Sequence, residues 1–207
     1  MKHIDKLGII PPQYTGTAIE ADAVVELEDN TAAKAFFEIA KSRLLRVNNW
    51  HQVAGIISAG FQLIDATGQE VDRDVVEGDY FKIDIPGPGS KEGDGYDWVL
   101  VETVNELTEE ENETIGFRIR PASNPFNQSA QTAHFYAPEA TGNFIIMRRQ
   151  KKIIAWVIDH NLKPNGHADS LTDKLRHAAV GSGAIGLFSK LQWQGLADGI
   201  VKLKGSV

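Results

Sequence analysis

Asp159-His160-Asn161 puts an acid, an imidazole and an amide in succession at the end of an apolar run. Such a trio can orient a ligand's polar group or act as an acid/base pair, and it can equally be turn chemistry that satisfies backbone groups ahead of Pro164. His160, His167 and Asp169 lack the i, i+4 helical spacing of a zinc site, and the other histidines carry no carboxylate at a ligand spacing, so no metal site is expected. The letters Gly181-Ser182-Gly183-Ala184-Ile185-Gly186 match a dinucleotide fingerprint, but in the wrong context. A helical stretch precedes them, no second strand follows, and no acid stands where a ribose would bind. The loop over 86–97, PGPGSKEGDGYD, lacks the Lys-Ser/Thr pair of a phosphate-binding loop and is read as a flexible border of a cavity mouth, with Tyr96 and Trp98 at its hinge. The serines have the wrong spacing for a nucleophile elbow, and with no cysteine there is no thiol chemistry. No catalytic residue and no cofactor are assigned.

The chain has 207 residues, enough for one domain that buries roughly 70% of its unfolded surface. Residues 1–14 are read as an N-terminal tail and 15–204 as the single domain. With 42% hydrophobic and 24% charged residues, the composition is that of a globule, neither disordered nor membrane-spanning. A net charge of −7 disfavours nucleic acid as a partner. The apolar stretch before Pro11-Pro12 is too short for a signal peptide, so a cytoplasmic location is expected, without stable membrane insertion.

Residues 16–27 mix β-branched, apolar and acidic residues and predict a first strand. The period then changes. Asp29-Asn30-Thr31 offers N-cap side chains, and Ala33, Phe36, Phe37, Ala40, Leu44 and Val47 mark one face of a helix that ends near Asn48-Asn49, with Trp50 folding back to close it. Strand-like runs follow over 61–64, 80–85, 98–107, 114–120, 134–137, 143–149 and 152–160, separated by turns and without helical period between them, as in an antiparallel meander. Arg148, Arg149, Lys151 and Lys152 read as a charged hairpin tip. A last helix starts at Ser170 and runs to about Lys204 with two apolar stripes. One holds Ala184, Leu187, Phe188, Leu191 and Gly195. The other holds Trp193, Leu196, Ile200 and Leu203. Five glycines, Gly181, Gly183, Gly186, Gly195 and Gly199, cost about 1 kcal/mol each in a helix and call for compensation by close backbone approach, a break, or space left for a ligand.

Strand, helix, meander and final helix together predict an α+β fold in which a curved antiparallel sheet grips the long C-terminal helix, with a helical segment after the first strand. This order, with the strand-to-helix entry at 27–37, the exit Val47-Asn48-Asn49-Trp50, the Gly-rich loop over 87–95 and the helix end over 187–202, resembles the START-like (SRPBCC, helix-grip, Bet v 1-like) superfamily. The stretch 134–161 is similar to that of uncharacterised bacterial members. The resemblance implies a cavity between sheet and helix that takes a small hydrophobic molecule: a lipid, a sterol-like or a polyketide-like ligand.

Strand alternation independently turns Phe81, Ile83 and Ile85 inward, with Val99, Val101 and Thr103, and Phe117 and Ile119; the run 153–158 is apolar on both faces, and Trp156 is assigned to the inner one. These residues are either plain core or a cavity wall. The expected ligand-binding set is Phe81, Ile83, Tyr96, Val101, Phe117, Ile119, His134, Tyr136, Trp156, Phe188 and Leu191. A cyclase-, aromatase- or hydrolase-like enzyme using the same cavity is the alternative, with Tyr96, His134, Tyr136 and Asp159 as its polar candidates. A homodimeric scaffold joined through Trp193, Leu196 and Ile200 is the third reading.

Overall fold

The computed structural model describes residues 5–55, 59–85, 90–127, 130–165 and 184–203. The elements are β1 (Thr17–Glu26), α1 (Asn30–Leu45), a 3-10 turn (Val47–Asn49), α2 (Trp50–Ala54), β2 (Gly60–Ile64), β3 (Tyr80–Asp84), β4 (Asp97–Thr108), β5 (Asn112–Pro121), β6 (Thr141–Arg149), β7 (Lys152–Leu162) and α3 (Ala184–Val201). The expected start of the last helix at Ser170 and the glycines Gly181 and Gly183 lie outside the described residues. All seven strands join one antiparallel sheet in the order β1-β7-β6-β5-β4-β3-β2. The first strand therefore closes against the last, and β1 and β2 form the edges. Among the described residues no helix is long and apolar enough to cross a membrane.

α1 forms where the 3.6-residue pattern places it. Asp29 caps it, its carboxylate accepting from the Ala32 amide at 2.8 Å, and Ala33, Phe36, Phe37, Ala40 and Leu44 are buried along one stripe. The helix ends earlier than expected, at Leu45, because Arg46 leaves helical geometry and Trp50 starts a second helix that turns its indole into the core. The indole N–H donates to the Leu44 carbonyl at 3.0 Å, so Trp50 does close the end of α1. Asn48 meanwhile covers part of edge strand β2, accepting from the Leu63 amide at 2.7 Å and donating to the Val71 carbonyl at 2.8 Å.

Three sequence expectations about the sheet change. Residues 134–137 are not a sheet strand; Tyr136 makes a lone bridge to Pro164, since the segment crosses the end of the sheet instead of extending it. A bulge between Val101 and Thr103 resets the alternation in β4, so Val104, not Thr103, lies beside Phe117 on the inner face. Arg148 is no solvated hairpin cation: it is fully buried, paired with Glu113 and bonded to the carbonyls of Glu110 and Gln150.

α3 lies on the concave face against β1 and β7, with α2 beside it. Its inward stripe is Trp193, Leu196, Ala197 and Ile200, all buried within the chain, which removes these residues as a dimer surface. The outward stripe holds Leu187 and Leu191. Arg43 reaches over from α1 and donates to the carbonyls of Gly199, Ile200 and Lys202, satisfying the frayed end of α3.

Two of the helix glycines are there for close approach. A Cβ on Gly195 would sit 2.6 Å from the Ala54 carbonyl oxygen, and one on Gly199 only 1.8 Å from that of Val53. Gly186 has open space and needs no such reason. Gly199→Ala gains about 1 kcal/mol of helix propensity but forces α2 and α3 apart, an overpacking cost of roughly 1–3 kcal/mol. The clash is with backbone, which cannot rotate away, so urea unfolding should show a net loss of stability for Gly199→Ala and little change for Gly186→Ala.

On the convex side, residues 5–16 run across the sheet as a strap. The Leu7 carbonyl accepts from Asn105 on β4, the Ile9 carbonyl from Arg118 on β5, and Pro12 from Asn161 on β7; His160 Nδ1 lies 2.7 Å from the Pro11 carbonyl oxygen. Ile9 itself is fully buried over Gly116, whose missing side chain admits it.

Candidate functional site

The concave space is filled at one end and hollow at the other. At the filled end Trp50 packs against Phe81, Phe117 and Phe144 with ring centroids 4.9–6.1 Å apart. At the other end six of the seven strands contribute an inward residue near a terminus: Phe61 on β2, Ile83 on β3, Val99 on β4, Ile119 on β5, Gly142 on β6 and Asp159 on β7. The first turns of α3 roof this end with Phe188, Ser189, Gln192 and Trp193, and the segment over 134–140 walls it with His134, Phe135, Tyr136 and Ala140. The result is a half-enclosed, mainly apolar cavity of about 60 Å³. A water needs on the order of 10–15 Å³ by this measure, so the space holds a few waters, or a small molecule or one end of a longer one.

The polar lining includes Asp159, Tyr136, Ser189, Gln192 and His134. The Asp159 carboxyl is buried, and Oδ2 accepts from the indole N–H of Trp193 at 2.7 Å. Burial pushes its pKa up to about 7 against the stabilising pull of that indole. Tyr136, bonded to the Ser189 side chain, is pushed up to about 12 by burial and by the nearby Asp159 charge. Gln192 Oε1 accepts from the Ala59 amide at 2.8 Å and ties the roof to the wall. His134 Nδ1 accepts from the Tyr136 amide at 3.0 Å, and its ring stacks on Phe135 at 4.3 Å. Among the described residues no group of three metal-ligating side chains occurs.

Of the residues expected at a ligand site, Ile83, Ile119, His134, Tyr136 and Phe188 line this cavity. Phe81, Val101 and Phe117 point the same way but lie in the filled half. Three sit elsewhere. Tyr96 packs by the Ile64, Trp98 and Ala133 cluster with the Lys82 ammonium 4.3 Å over its ring. Trp156 faces the convex side, because the inward phase of β7 is set by Ile153, Ala155 and Val157. Leu191 is 55% exposed, since α3 is rotated to turn Gln192 and Trp193 inward. Asp159 and His160 cannot form an acid/base pair, as adjacent strand residues point to opposite faces. At the cavity-mouth loop, 86–89 lie outside the described residues; Trp98, expected at its hinge, is buried and donates to the Gly93 carbonyl at 3.1 Å.

Sequence reasoning missed Ser189 and Gln192. A signal was available: they fall at i−4 and i−1 of Trp193, on the stripe that continues through Leu196 and Ile200, where two polar residues interrupt an otherwise apolar face.

The strand order, with β1 closing on β7, two helices inserted between β1 and β2, and the last helix held in the concave face, decides the architecture. This is a helix-grip α+β fold, the architecture that the START-like, Bet v 1-like resemblance implied. No family model matches the chain, and no curated protein matches its sequence. Similar solved structures include a hypothetical protein from Helicobacter pylori, with a TM-score of 0.48 and 10% identity over 90% of this chain and 87% of that one. Ara h 8.0201 gives 0.30 and 13% over 87% and 99%, and major latex-like protein 151 from Panax ginseng 0.34 and 11% over 84% and 97%. In this chain the hollow lies under the first turns of α3.

Proposed function

We propose that this helix-grip chain binds a small, largely apolar molecule between the sheet and the first turns of α3. The observation that carries the reading is the cavity itself: Ile83, Val99 and Ile119 border a hollow of about 60 Å³ beyond the reach of the Trp50 ring, and Gly142 leaves its floor without a side chain. A chain under selection for stability alone would gain by filling that space, since lost packing costs about 20–25 cal/mol per Å³ of void. The volume fits a single ring or a short chain, so a whole sterol would have to displace the walls.

Toluene tests the reading. Its titration should shift the methyl NMR signals of Ile83 and Ile119 and leave those of Ile153 in the filled half unmoved. Ala140→Phe, which grows into the cavity from a buried wall position, should weaken toluene binding at least tenfold while the protein stays folded. Undisturbed Ile119 signals at saturating toluene would sink the proposal. For the enzymatic alternative, three of the four polar candidates, His134, Tyr136 and Asp159, line the cavity, and the Asp159 pKa of about 7 suits general acid/base work. Extraction of the molecule retained from cells, followed by incubation with fresh protein, separates a carried ligand from a converted one.

A further inference from the structure

Among the described residues, the cavity holds an acid without a counter-charge. Trp193 holds Asp159 by Oδ2, which fixes the carboxyl plane, and Oδ1 is left at the cavity floor next to Gly142, where an added Cβ would come within 3.2 Å of it. No hydrogen bond among the described residues reaches Oδ1, and no lysine or arginine among them lines the cavity. A buried carboxylate needs both a hydrogen-bond donor and a positive partner to offset its lost hydration. Trp193 supplies a donor only.

We propose that the cavity selects a small apolar amine, its ammonium docked on Asp159 Oδ1 and its hydrocarbon part lying against Ile83, Val99 and Ile119. This rests on the reading of the cavity as a ligand site and names the ligand class. An ammonium has three protons to satisfy. Asp159 takes one, and the hydroxyls of Tyr136 and Ser189, which bond to each other beside it, keep lone pairs for the others. An anionic ligand would meet the Asp159 charge with no cation among the described residues to offset it, and a neutral alcohol would leave that charge uncompensated once the acid ionises.

The pH dependence follows from the groups around Asp159. β6 presents Gly142 to it, β1 presents Ile19, and α3 presents Ser189, Gln192 and Trp193, none of which titrates near neutrality. The wall segment brings Tyr136, which stays protonated, and His134. With the Asp159 pKa at about 7, the carboxylate population falls about thirtyfold between pH 8 and pH 5.5. Affinity for an ammonium should fall with it.

Benzylamine and benzyl alcohol differ only at the donor atom and make the test, read by calorimetry at pH 8 and pH 5.5. Benzylammonium should bind at least tenfold more tightly than the alcohol at pH 8 and lose about thirtyfold at pH 5.5, while the alcohol changes little. Asp159→Asn should remove the amine preference and keep benzyl alcohol binding. His134→Gln should leave the pH dependence in place, which shows that the acid and not the imidazole carries it. The proposal is overturned if the alcohol binds as well as the amine at pH 8, or if the preference survives in Asp159→Asn. Should Asp159→Asn not fold, the pH dependence of the native chain decides by itself. Binding of toluene and benzyl alcohol without an amine preference defeats this inference and leaves the cavity reading standing; no binding of any of the three defeats both.

Discussion

Asp159→Asn is expected to stabilise the protein, and by more at pH 8 than at pH 5. The carboxyl has its ordinary value of 3.8 when the chain is unfolded and about 7 when folded. Between those values the native state holds a proton that the unfolded state has released, so stability falls as pH rises from about 4 to about 7 and levels off above. Three pKa units correspond to roughly 4 kcal/mol over the whole window, of which about 3 kcal/mol falls between pH 5 and pH 8. Asn keeps an oxygen for the Trp193 indole and cannot ionise, so it removes this loss. Urea melts of both proteins at the two pH values give the double difference, in which every other titrating group cancels. A difference independent of pH would mean that Asp159 is not buried as described.

Trp50→Ala has the opposite sign. Trp50 is 1% exposed and its indole touches the rings of Phe61, Phe81, Phe117, Phe144 and Trp193, joining α2, the sheet and α3 in one cluster. Truncation to Ala removes that packing and also the N–H that closes α1 at Leu44. A buried aromatic lost to a cavity costs about 3–5 kcal/mol, a large share of a total stability of about 5–15 kcal/mol. Thermal unfolding followed by near-ultraviolet circular dichroism should show the loss. Trp50→Phe, which keeps most of the contact but not the N–H, should recover most of it. A Trp50→Ala protein as stable as the parent would show that the filled half of the concave space is not filled by this ring.

The element order could be read from the sequence because periodicity changes sharply at Asp29 and because turn residues bound each strand. The inner face of each strand followed from alternation where a charged residue marked the outer one, as Lys82 does for Phe81 and Ile83 or Arg118 for Ile119. Alternation failed in β7, where Ile153 to Ile158 is apolar throughout and nothing marks the outward side, so Trp156 was placed on the wrong face. It also says nothing about position along a strand. Phe81 and Ile83 share a face, yet one meets Trp50 and the other lines the cavity, and only the three-dimensional location of α2 separates them. The rotation of α3 was obscured for a related reason: both of its stripes are apolar, and the inward one is betrayed only by Ser189, Gln192 and two glycines that must touch α2.

The strap on the outer side of the sheet grips the back of the cavity floor. Arg118 and His160, which hold the Ile9 and Pro11 carbonyls, are the immediate chain neighbours of Ile119 and Asp159, which face the hollow. The N-terminal segment is thus pinned to the sheet immediately behind the hollow, so the floor of the cavity is braced from outside by the chain's own first residues.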